Sequence, residues 1–144
     1  MIDSPLVSTI IATHNRADLL SQSVESVLAQ DYPNVEVIIV DDSSTDHTPD
    51  VIANIKTHHE NVRSIRMEQN SGPSVARNTG IRSVRGTLIA FIDDDDIWLP
   101  GKLTAQVNAL RESPKSALCY AKALSGTPEG EAIGRAYIGT DRGC

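Results

Sequence analysis

Short, almost wholly apolar runs that alternate with helical stripes constrain this chain more than any other feature. Leu6–Ala12 and Val35–Val40 are continuous apolar segments of strand length. Leu20, Val24, Val27 and Leu28 recur between them at helical spacing. The rhythm repeats. Val51, Ile52 and Ile55 form a second stripe, and Val62–Met67 is a third strand whose alternating polar positions place it near an edge. Val75, Ala76 and Ile81 mark a third helix, Thr87–Ile92 a fourth strand, and Leu103, Val107 and Leu110 a fourth helix. Ala117–Tyr120 reads as a short fifth strand. A strand that is apolar on both sides has to be covered on both sides, and helices alternating with strands do this through right-handed crossovers. The expected class is therefore α/β, a mostly parallel sheet with flanking helices. Aromatic residues make up only 3% of the chain, so Val, Ile, Leu and Ala must fill the core.

The punctuation agrees. Asn15 is expected to cap the first helix, with Asp18 at the capping-box position. Asp31-Tyr32-Pro33-Asn34 breaks that helix, Asn70-Ser71-Gly72-Pro73 turns into the third, and Gly86 closes it. Pro100 suits the first turn of the fourth helix, and Ser113-Pro114 stops it. Beyond Tyr120 glycines interrupt the pattern, and only Ala132–Ile138 suggests another element. The division that follows is an α/β unit over residues 1–121 and a tail over 122–144.

Length and charge narrow the functions. The 144 residues suffice for one core. A net charge of −6 disfavours nucleic acid as a partner. No run of eighteen apolar residues encodes a membrane span. The chain runs from Pro5 straight into its first strand without a basic leader, so a signal peptide is not expected. Cys119 sits in an apolar stretch and is expected in the core; with Cys144 it makes no zinc set.

Open parallel sheets bind ligands beyond the carboxyl ends of their strands. Three polar clusters fall there: Thr13-His14-Asn15-Arg16, Asp41-Asp42 and Asp93-Asp94-Asp95-Asp96, with Asn70-Ser71-Gly72 after the third strand. Four consecutive carboxylates against a buried strand repel one another and call for a counter-ion; a hard divalent cation is the economical one. Plainer roles exist for each group. Some of the four aspartates can cap the next helix, Asp41-Asp42 before Ser43-Ser44 is turn chemistry, His14 can be a satisfied half-buried histidine, and Arg16 and Arg77 can be surface arginines.

A nucleoside diphosphate fits the combined set. One carboxylate can accept a bond from a uracil-like N–H, another can take ribose hydroxyls, and a third can hold a metal bridging the phosphates. An arginine of the Ser74–Arg85 segment can neutralise phosphate oxygens. Rival α/β chemistries lack their signatures: no Gly-x-Gly-x-x-Gly follows the first strand, no phosphate-binding Gly-Lys-Ser/Thr loop occurs, and Thr13-His14 stands where an aspartyl-phosphate enzyme keeps its nucleophile.

Four segments carry a family resemblance: Val7–Arg16, Val37–Asp46, Asn70–Gly80 and Phe91–Pro100. In order and spacing they resemble the family-2 inverting glycosyltransferases, whose nucleotide-sugar-binding fold is called GT-A. The resemblance implies an enzyme that transfers a sugar from a nucleoside-diphosphate donor to an acceptor hydroxyl. It places Ala12, His14, Asn15, Asp42, Arg77, Asp93 and Asp94 at the nucleotide, with Asp42 on the base. Asp95 becomes the chief ligand of Mn2+ or Mg2+, Asp93 sits near the metal, and Asp96 serves the turn. Ala12 departs from the Thr or Ser often found there. The donor expected first is a UDP-sugar; the acceptor, whether saccharide, lipid or protein, is not legible. The expected location is the cytoplasm, with peripheral association of the full-length protein at the inner membrane face.

Family members carry a second half that binds the acceptor and supplies an Asp or Glu as general base. Glu129, Glu131 and Asp141 are the acidic residues of the tail, and none resembles that base motif. No catalytic base is assigned, and the chain is expected to be the N-terminal part of a larger transferase domain. The alternative is a non-catalytic nucleotide or nucleotide-sugar binding module.

Overall fold

The structure is a computed structural model that describes residues 4–127 and 132–135. Its elements are β1 (Val7–Thr13), α1 (Ala17–Leu28), β2 (Val35–Asp41), α2 (Thr48–His58), β3 (Val62–Arg66), α3 (Pro73–Ile81), β4 (Leu88–Phe91), α4 (Lys102–Glu112), β5 (Leu124–Gly126) and β6 (Ala132–Arg135). The first four strands form one parallel sheet in the order β3-β2-β1-β4.

The doubly apolar strands are covered on both faces. Val7 and Ile11 of β1 and Val37 and Ile39 of β2 point to the side of α1, α2 and α4, where Leu20, Val24, Val27, Ile52, Ile55, Leu103 and Val107 complete the larger core. Ile38 and Val40 point the other way, onto Ala76 of α3. On that face α3 lies so close that a Cβ on Gly80 would stand 2.6 Å from Ile10 Cγ2. The chain thus moves outward from β1 to β3 and returns through α3 to the far side of β1. The crossovers reverse between β1 and β4, which is where sheets of this kind open a ligand crevice.

A buried polar clamp holds the N-terminal end of the sheet together. Glu36 is 6% exposed, yet its carboxylate is fully engaged. Oε1 accepts from Ser8 Oγ (2.6 Å) and the Arg85 N–H (2.9 Å), and Oε2 accepts from Arg63 Nε (3.1 Å) and Nη2 (2.9 Å). Arg63 also donates to the Ser83 carbonyl, and the Gly86 N–H donates to Ser8 Oγ. Burial by itself would raise the Glu36 carboxyl, but the bonds from Ser8, Arg85 and Arg63 outweigh it and hold the group below its usual range. Gly86 must be glycine for closeness: a Cβ there would lie 2.3 Å from the Leu6 carbonyl oxygen.

Several local expectations change. Ala117–Tyr120 forms no strand; Leu118 is 67% exposed and no ladder partners the segment. A four-residue run without a neighbouring strand leaves its backbone groups to water. The small antiparallel pair β5–β6 forms further on instead, so the hint at Ala132–Ile138 is met by Ala132–Arg135, and 136–138 lie outside the described residues. Cys119 is half-buried rather than core. Asn15 does not cap α1: Arg16 occupies the N-cap without a side-chain bond, and Asn15 takes a left-handed φ of 52°. Pro100 precedes the α4 N-cap, Gly101, whose φ is 81°.

Candidate functional site

Each loop at the carboxyl end of the sheet is fixed by the one beside it. Asn15 faces the loop after β2, where its Oδ1 accepts from the backbone N–H of Thr45 (2.7 Å) and Asp46 (3.2 Å). Asp41 is buried and structural: Oδ1 accepts from the Ser44 N–H and Oδ2 from Arg66 Nη1 at 2.6 Å. Asp42, 3% exposed, accepts from the Ser71 N–H (2.8 Å) and the Gly72 N–H (2.7 Å), one on each carboxylate oxygen. It therefore ties the end of β2 to the entry of α3. His14 closes the same corner. Its Nδ1 lies 2.8 Å from the Asp42 carbonyl, which can only accept, so the ring proton belongs on Nδ1. Nε2 then accepts from Asn70 Nδ2 at 3.0 Å.

The four aspartates form a turn beyond β4. The Asp96 N–H donates to the Asp93 carbonyl, Ser23 Oγ donates to the Asp96 carbonyl, and the Trp98 N–H donates to Ser26 Oγ. Two side chains of α1 thus strap the turn down, and the Asp96 backbone serves it as expected. Two of the carboxylates face cations: Arg77 Nη2 stands 2.5 Å from Asp93 Oδ1, and Arg16 Nη1 stands 3.8 Å from Asp95 Oδ2. Burial pushes the Asp94 carboxyl up, a rise opposed by the Thr13 hydroxyl and the Arg16 guanidinium and reinforced by Asp95. Burial, then the charges of Asp93 and Asp95, push Asp96 up as well.

Thr13 joins the two halves. Its carbonyl accepts from the Asp42 N–H at 2.8 Å. Its Oγ1 is buried without a hydrogen bond of ordinary geometry, beside the Asp94 carboxylate. The sequence places Thr13 in the first polar cluster without assigning it a contact, and its position as the last residue of β1 is the signal for one. Sequence reasoning also left Arg16 as an ordinary surface residue; its contact with Asp95 spans the β1 and β4 loops. Among the residues expected at the site, His14, Asn15 and Asp42 gather on the β2 side, and Arg77, Asp93, Asp94 and Asp95 on the β4 side. Ala12 is half-buried on the α3 face of β1.

No group of three His, Cys, Asp or Glu side chains forms a ready cation cage among the described residues. The donors are nonetheless hard carboxylate oxygens next to the Thr13 hydroxyl. Mg2+ and similar ions are commonly held by one or two carboxylates plus phosphate oxygens, so the set suits a cation shared with a diphosphate.

Comparison with known proteins decides the family. The family model described as "Glycosyl transferase family 2" matches residues 8–134. The chain belongs to this family. This glycosyl transferase family 2 chain is 41% identical over 108 residues to the putative teichuronic acid biosynthesis glycosyltransferase TuaG of Bacillus subtilis, covering 75% of the chain and 43% of TuaG. It is also 41% identical over 115 residues to WfaP of Escherichia coli, described as a UDP-Glc:alpha-D-GlcNAc-diphosphoundecaprenol beta-1,3-glucosyltransferase, covering 80% of the chain and 45% of WfaP. The mannosyltransferase PcManGT of Pyrobaculum calidifontis, solved with GDP-Man and Mn2+, superposes with a TM-score of 0.73 at 26% identity, over 89% of this chain and 37% of that one. The fold is accordingly of the GT-A type, and the chain spans less than half the length of the curated relatives it matches. No helix among the described residues is long and apolar enough to cross a membrane.

Proposed function

We propose that this chain is the donor-binding part of an inverting glycosyltransferase that uses a nucleoside-diphosphate sugar, UDP-linked in the first instance, with Mn2+ or Mg2+. The observation that carries the reading is Thr13. Through one residue it links the Asp42 corner to the aspartate turn, at the point where the sheet's crossovers reverse. Asp42 and His14 form the base side, and Ala12 and Asn15 line the strand end. Asp93 and Asp94 serve the ribose and metal, and Asp95 is the principal metal ligand. A bound cation supplies positive charge against the diphosphate as it departs. Asp42 acts on the base through lone pairs beyond the two that receive Ser71 and Gly72, so those backbone bonds fix its direction. The general base and the acceptor site belong to the remaining length that the relatives possess. The WfaP acceptor, a lipid diphosphate, makes a membrane-borne acceptor and peripheral attachment at the cytoplasmic face the favoured setting for the whole protein.

Calorimetry with UDP tests the reading. Binding is expected with Mn2+ or Mg2+ and is expected to fall at least tenfold with a chelator, in line with the loss of a charge-assisted contact. Asp95→Asn should remove most of the metal-dependent part, while Asp96→Asn should leave it nearly intact. Equal affinity with and without metal would overturn the metal role.

A further inference from the structure

Four arginines on the sheet and its loops fall into two kinds. Arg63 is held by a forked pair of bonds to Glu36 and a third to the Ser83 carbonyl, and Arg66 is held by Asp41 and the Ser44 carbonyl. Both are locked into the frame. Arg77 has a single hydrogen bond to Asp93, and Arg16 faces Asp95 at 3.8 Å, a contact of charge rather than a hydrogen bond. Exposure does not separate the two kinds, since the Arg66 side chain is 52% exposed against 49% for Arg16 and 36% for Arg77; the number of bonds at the tip does. Arg16 also sits at the N-cap of α1, the positive end of the helix dipole, where the helix itself disfavours a cation. Each of these two guanidiniums engages a single carboxylate of the aspartate turn at its tip.

We propose that Arg16 and Arg77 are exchangeable counter-ions of the aspartate turn: a divalent cation displaces them from Asp95 and Asp93, and the donor's diphosphate takes them up. The proposal rests on the donor-site reading above and adds a coupling to it. The charges support the exchange. Four carboxylates against two guanidiniums leave a formal deficit of two positive charges. A divalent ion fills that deficit but competes for the same carboxylate oxygens. Binding metal alone therefore costs two ion pairs, and binding it with a diphosphate does not, because the released arginines gain phosphate oxygens. Arginine suits this transfer, since its fork recognises carboxylate and phosphate alike. Metal and nucleotide then strengthen each other's binding by the same factor.

The test measures two affinities for the purified chain and for Arg16→Gln and Arg77→Gln: Mn2+ alone, by spin resonance of the free ion, and UDP at saturating Mn2+, by calorimetry. Each substitution should tighten Mn2+ alone by about twofold to fivefold, the worth of an exposed ion pair. Each should weaken UDP by roughly tenfold, the worth of a charge-assisted bond. Arg77→Lys, which keeps the charge and loses the fork, should leave Mn2+ affinity near the parent value. Opposite signs for the two ligands support the exchange. Mn2+ affinity that is unchanged or weaker in both Gln variants overturns it while metal-dependent UDP binding by the parent leaves the donor-site reading standing. A parent chain that binds neither ligand overturns both.

Discussion

The Glu36 clamp at one end of the sheet and the aspartate turn at the other treat charge in opposite ways. At the N-terminal end, Glu36 is buried among Ser8, Arg63 and the backbone of Arg85, with donors on both oxygens, and its carboxyl is held below the usual range. At the C-terminal end, Asp94 and Asp96 lose water without gaining comparable donors, and their carboxyls are pushed up. The first arrangement spends its polar groups on holding three strands and the α3–β4 connection in register. The second leaves carboxylate capacity uncommitted, close to two arginines that each meet a single carboxylate. A carboxylate kept ionised by its neighbours is structural glue, and one that burial disfavours is poised for a cation.

The sharpest way to break this contrast is to remove the glue. Glu36→Gln strands Arg63 next to an uncharged amide and should cost about 3 kcal/mol, or roughly 10 °C in melting temperature by calorimetry. A loss below about 1 kcal/mol would mean that the clamp is no more than a surface pair. Because the folded Glu36 pKa is lowered, its contribution is present above the unfolded value and is lost as pH falls through the folded value. The gap between parent and Glu36→Gln should therefore narrow in acid.

Gly86→Ala tests the same end through its backbone. The added methyl meets the Leu6 carbonyl oxygen and Ser8 Oγ, so β4 must shift outward, at a cost of about 2 kcal/mol in urea unfolding. The smallest effect belongs to the other end and carries the opposite sign. Asp96→Asn removes a charge that the folded state disfavours, and it should raise the melting temperature at neutral pH by about 1–2 °C. A raised folded pKa means that the penalty grows as pH rises from the unfolded value through the folded one. The gain should thus disappear as pH falls into the ordinary carboxylate range. A drop in melting temperature at neutral pH would show that the Asp96 charge supports the turn.

Much of this was legible in the sequence. Alternation of Leu6–Ala12 and its successors with helical stripes specifies a parallel sheet covered on both faces, because a strand apolar on both sides has no other stable place. The polar residues that follow those strands pointed to the end of the sheet where the candidate site is proposed. Local segments were read less well. Ala117–Tyr120 has strand composition but lacks a partner, and strand formation depends on the neighbour that completes the ladder. Asn15 has cap chemistry, yet its side chain serves the loop after β2, thirty residues away.

Sequence alone determined the fold class and the positions of the carboxylates, which follow from periodicity and residue type along the chain, and four of its segments carried the family resemblance. Only the tertiary structure decided which carboxylates are spoken for. Glu36, Asp41, Asp42 and Asp94 all stand in or beside apolar strands, and nothing in their local sequence separates them. Their difference lies in partners brought from 25 or more residues away, such as Arg63, Arg66 and the Ser71 N–H, and in the absence of an equally complete set at Asp94. A buried charge is stabilised or penalised by the donors that reach it, and the path of the backbone in space determines which donors those are.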